Sequence, residues 1–78
     1  MFDIIRSYID KEKYYIIILS NGLYIKNYQK LININAEEII LEIDQSIYKI
    51  KGSNFILTKS IDKELMIKGS VESVNRLW

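Results

Sequence analysis

The chain has 78 residues, with 11 Lys and Arg against 10 Asp and Glu, for a formal net charge of +1. That length is expected to hold a single domain, 1–78, and 49% hydrophobic with 27% charged residues argues against wholesale disorder. With no Cys and no His, the chain lacks disulfides, zinc–thiolate and Fe–S ligands, a cysteine nucleophile and the commonest neutral-pH base.

Residues 1–12 read as an N-terminal helix or arm: Phe2, Ile5 and Ile9 recur at three- and four-residue spacing, which suits a short amphipathic helix. From Lys13 the pattern changes to short apolar runs and polar turns. Tyr14 to Leu19 is apolar on both faces and reads as a strand buried on both sides or covered by a partner. Asn21-Gly22 follows, a strong hairpin signal because a type I′ turn needs positive φ at both central residues. Leu23 and Ile25 then alternate with Tyr24, Lys26 and Tyr28.

Further runs alternate in the same way. Ile32 and Ile34 form one, and Ile39, Leu41 and Ile43 another. Tyr48 with Ile50, Phe55 with Leu57, Leu65 with Ile67, and Val71 to Trp78 complete the set. Asp44-Gln45-Ser46, Gly52-Ser53-Asn54, Asp62-Lys63 and Gly69-Ser70 read as the turns between them. Val71 and Val74 are three apart, which predicts a bulge in the last strand. Ile50-Lys51-Gly52-Ser53 recurs as Ile67-Lys68-Gly69-Ser70, either two hairpin turns that both need Gly or the stacking of a short solenoid.

The expected fold class is therefore all-β. About eight short strands form an antiparallel meander, twisted or curled into a small barrel or a two-layer sheet, because connections this short cannot carry parallel crossovers. Seventeen Ile against one Ala bias the chain the same way.

The alternate face mixes Tyr24, Tyr28, Ile40, Ile47, Ile56 and Met66 with lysines. Two readings compete: an ordinary solvated face, or a contact surface rich in Tyr and Met. The candidate protein interface consists of Tyr24, Tyr28, Tyr48 and Met66, although Tyr48 shares the main apolar phase and is a core candidate too. No catalytic, cofactor-binding or metal-binding residue is assigned. Glu37, Glu38 and Glu42 lack the signs of an acid–base pair and read as surface carboxylates. The glycines are too far apart for a phosphate loop.

Tyr among Lys suggests a small single-stranded nucleic-acid-binding barrel as the rival reading; the balanced charge counts against it. The longest apolar run has six residues, against about 20 for a spanning helix. The first residues lack the features of a signal peptide, so a cytoplasmic protein without its own transmembrane segment is expected.

The segment Leu23-Tyr24-Ile25-Lys26-Asn27-Tyr28-Gln29-Lys30-Leu31 carries a family resemblance. It is similar to the YabP/YqfC family of sporulation proteins, in which a strand ends in an Ile-x-Asn-aromatic or His motif before a turn. Glu38-Ile39-Ile40-Leu41, Tyr48 to Leu57 and Glu64 to Val74 resemble the pattern that follows: strand, Gly turn, apolar strand, loop, Leu-x-Ile-x-Gly and a last strand. The likeness covers residues 14–75 and is closer to the YqfC-like branch. One departure is the absence of Pro where that branch carries it before the first strand.

The resemblance implies a small, non-enzymatic protein of endospore formation, located in the mother cell or at the forespore membrane surface. It also implies a protein partner, either a membrane protein encoded nearby or further copies of the chain, and no cofactor.

Overall fold

The structure, a computed structural model, describes residues 13–78. The expected N-terminal helix or arm lies outside the described residues. The fold is all-β, with no helix among the described residues. The strands are β1 (Tyr15–Leu19), β2 (Gly22–Lys26), β3 (Lys30–Ile34), β4 (Glu38–Ile43), β5 (Ser46–Ile61) and β6 (Glu64–Arg76). They form one antiparallel sheet in the order β1-β2-β6-β5-β4-β3, which does not close into a barrel.

The described residues form six strands where about eight were expected, because two of the expected turns lie inside strands. β5 continues through Gly52-Ser53-Asn54, and β6 continues through Gly69-Ser70. The repeated Ile-Lys-Gly-Ser is thus neither a pair of hairpin turns nor a solenoid unit. It places two glycines at one bend of the long β5–β6 hairpin. Asn54 and Phe55 bulge out opposite Gly69, between the pairs Ser53↔Ser70 and Ile56↔Lys68, and such bulges bend a strand. Gly69 has φ +138°. A Cβ on Gly52 would lie 2.0 Å from the Ser70 carbonyl oxygen and 2.5 Å from the Phe55 ring, so the bend requires its bare backbone. The bulge expected between Val71 and Val74 is present at Glu72, where the register shifts between Lys51↔Ser73 and Gly52↔Val71.

The bend divides the sheet into two halves. The first comprises β1, β2, residues 64–68 of β6 and residues 56–61 of β5; the second comprises β3, β4 and the remaining parts of β5 and β6. Chain connectivity requires the halves to face each other. In a flat sheet β2 and β3 would lie four strand spacings apart, roughly 19 Å. The link between them, residues 27–29, gives four Cα steps that reach at most about 14 Å.

Folding the sheet over places one core between the halves. Leu23, Ile25, Leu65 and Ile67 come from the first half and Ile39, Leu41, Ile43 and Ile50 from the second, with Phe55 at the bend. The cross-strand pairs Leu23↔Ile67, Ile25↔Leu65 and Ile39↔Ile50 show how period-two alternation supplies this face.

The corner at residues 27–29 ties the halves together. Asn27, with φ 59°, donates its backbone N–H to the Lys63 carbonyl at 2.7 Å, and Gln29 donates to the Glu42 carbonyl at 2.7 Å. The Asn27 side chain donates to the Lys13 carbonyl, and the Gln29 side-chain oxygen accepts from the Gln45 N–H at 2.7 Å.

The turns at Asp44-Gln45 and Asp62-Lys63 both have positive φ at their two central residues, 50° and 65°, then 51° and 59°, as type I′ hairpins require. The first hairpin differs from expectation. Leu19 pairs with Gly22, so its turn residues are Ser20 and Asn21, neither of which has positive φ. Gly22 instead belongs to β2.

Candidate interaction surface

The outward face of the first half is more buried than alternation alone predicts. Tyr24 and Met66 are direct cross-strand neighbours, and both are buried, Tyr24 to 1% exposure. Glu64, two residues before Met66, is the one buried charged residue among the described residues. The Tyr24 hydroxyl donates to Glu64 Oε2, with Lys26 Nζ 3.8 Å from the same oxygen and Lys59 Nζ 3.8 Å from Oε1. Acceptor and donors thus converge from β2, β5 and β6, so that this carboxylate is compensated as a buried charge must be. Glu64 directly follows the expected Asp62-Lys63 turn and was not among the residues assigned to either face. Its phase, shared with Met66 and across the pairing with Tyr24 and Lys26, was the available signal.

The other two candidate interface residues lie elsewhere. Tyr28, in the 27–29 corner, packs against the core, and the Lys63 ammonium stands 5.4 Å from its ring centroid, within cation–π range. Lys63 also donates to the Gln29 carbonyl at 3.2 Å. Tyr48 points to the core side opposite Leu41 and packs against the core cluster. The structure therefore brings Tyr24 and Met66 together and keeps Tyr28 and Tyr48 apart from them.

Three exposed apolar side chains, Tyr14, Ile18 and Val74, meet at the mouth between the β1 edge and the second half, while Ile56, Leu57 and Ile61 are exposed on β5. An apolar hollow of about 330 Å³ is lined there by Tyr14, Ile16, Ile18, Ile43, Tyr48 and Val74. Ile18 is 52% exposed and Val74 37%. Tyr14 bridges the mouth, its hydroxyl donating to Asp44 Oδ2 at 2.6 Å. That hydrogen bond, and secondarily the Asp44 charge, push the phenol pKa above its usual value, because both favour the neutral form. Trp78 leaves its side chain 74% exposed, while its carbonyl accepts from the Ile47 N–H at 2.8 Å.

A wider hollow of about 550 Å³ is lined by Asn35, Glu37, Glu38, Lys51, Gly52 and Glu72, among others. It gathers Glu37 and Glu38 but not Glu42, which lies further along β4, paired with Lys30 and Ile47. Glu38 meets Lys49 Nζ at 3.1 Å and accepts from the Asn33 side chain at 3.1 Å. Its hydrogen bond to Lys49 holds its pKa below the ordinary carboxylate value, outweighing desolvation, which acts the other way.

No family model, curated protein or solved structure matches this chain.

Proposed function

We propose that the chain is a non-enzymatic structural or adaptor protein of bacterial endospore formation, acting in the mother-cell cytoplasm through protein–protein contacts of its β-sheet. The contact mechanism is supported by one observation above all. The apolar run Tyr15–Leu19, which reads in sequence as a strand needing cover, lies at the edge of the sheet beside an apolar mouth. Backbone pairing at an edge, with apolar side chains burying alongside, is an established mode of recognition. The setting in sporulation rests on the motif resemblance in residues 14–75.

The test is capture of partners by the tagged full chain from sporulating cells, beside an Ile18→Lys variant. The reading expects a specific protein retained by the wild type and lost with Ile18→Lys. Retention of single-stranded nucleic acid that falls steeply with salt, or identical capture by both forms, contradicts it.

A further inference from the structure

We propose that residues 1–12 lie as a helix across the outward face of the first half, with Phe2, Ile5 and Ile9 on Tyr24 and Met66 and the Arg6 guanidinium on the Glu64 carboxylate. Burial in this half does not alternate. Gly22, Leu23, Tyr24 and Ile25 of β2 are buried in succession, and so are Glu64, Leu65, Met66 and Ile67 of β6. β4 in the second half does alternate, with Ile39, Leu41 and Ile43 buried and Glu38, Ile40 and Glu42 half-buried. Runs buried on both phases belong to strands covered on both faces. One cover is the core, which takes Leu23, Ile25, Leu65 and Ile67 but neither Tyr24 nor Met66. The described strands form a single sheet whose second half lies on the core side, so none of them passes over Tyr24. The rest of the chain is residues 1–12.

The polar groups around this face lead to the same segment. Tyr15, Lys26 and Glu64 form one cross-strand row on the outward face, and Tyr24 and Met66 belong to the next. Tyr15, Tyr24 and Glu64, with Asn27 beside the row, each hold a further interaction with residues outside the described ones. The Asn27 side chain also donates to the Lys13 carbonyl, which fixes the chain at the Glu64 end of this face just where residue 12 leads in. Twelve helical residues extend about 18 Å, enough to cross β1, β2, β6 and β5, which span about 14 Å. Phe2, Ile5 and Ile9 make one apolar stripe, and Arg6, four residues after Phe2 and three before Ile9, borders it. Lys11 falls on the opposite side. Glu64 is 2% exposed, and its two ammonium neighbours stand at 3.8 Å. A guanidinium offers such a carboxylate paired N–H donors at hydrogen-bond distance. The chain's other Arg, Arg76, lies in the second half opposite Tyr48.

The chain has no Cys, so a single nitroxide label can be attached at Ser7→Cys, on the side of the segment away from the stripe. In the isotope-labelled full chain, the label is expected to broaden the amide NMR signals of β2 and residues 64–68 of β6 and to spare those of β3 and β4. Arg6→Met is expected to lower the urea midpoint and Lys11→Met to leave it unchanged. Glu64→Gln should cost less in the Arg6→Met background than in the wild type, because the two groups form one pair.

Broadening of β3 and β4 equal to that of β2, or broadening of neither, overturns the proposal. So does broadening that arises in isotope-labelled wild type mixed with the spin-labelled chain, which gives the face to a second copy. An Arg6→Met midpoint no lower than that of Lys11→Met, or additive effects of Arg6→Met and Glu64→Gln, overturns the pairing with Glu64.

Discussion

Tyr24 and Glu64 show how far residue type and phase carry the argument. Tyr24 sits on the face where solvent was one of the two expectations, Glu64 shares its outward phase, and both are almost fully buried. Alternation told which residues share a face, but not that this face would be covered. The Tyr24 hydroxyl is one of the donors to a buried carboxylate. Tyr24→Phe keeps the ring and removes that donor, so it is expected to cost about 1–3 kcal/mol, read as a lowered urea midpoint at unchanged slope. An unchanged midpoint would mean that the hydroxyl contributes nothing. Glu38 gives a pH prediction. Its pKa is lowered in the folded chain by Lys49, so its contribution is complete above the ordinary carboxylate pKa. That contribution is lost as pH falls through the depressed value. The stability gap between wild type and Glu38→Gln should therefore be full at neutral pH and close in acid below that value. A gap that persists there contradicts the Lys49 pairing.

Turn chemistry and apolar alternation made most of the strands legible. The turns at Asp44-Gln45 and Asp62-Lys63 lie where the residues placed them, and the bulge at Glu72 follows from the three-residue spacing of Val71 and Val74. The two remaining glycine turns were misread for a physical reason. Gly permits a turn, but it equally permits two backbones and a ring to approach closely inside a bent sheet, and short-range sequence does not separate these uses. Phe55 does, once its ring is seen against both Gly52 and Gly69. Gly52→Ala drives a methyl into the Ser70 carbonyl and the Phe55 ring, so a loss of about 3 kcal/mol is expected, measured by thermal or urea unfolding. A neutral effect would show that the β5–β6 bend does not need the close approach.

At the scale of the molecule, one sheet is folded over so that its two halves enclose a single core. The two-layer form was among the sequence expectations. The strand order was not, because pairing β2 with β6 depends on a contact more than 40 residues away along the chain (Tyr24↔Met66) that periodicity does not encode. Folding over leaves the uncharged strand β1 on an edge beside the mouth, and the functional proposal depends on that placement. Amide hydrogen exchange, followed residue by residue by NMR with and without the captured partner protein, tests it most directly. Alternate residues of an antiparallel strand point their N–H groups away from the neighbour, so the amides of β1 that face away from β2 should slow on binding while those of β2 and residues 64–68 of β6 stay protected throughout. A bound partner that leaves the exchange of β1 unchanged would contradict the account.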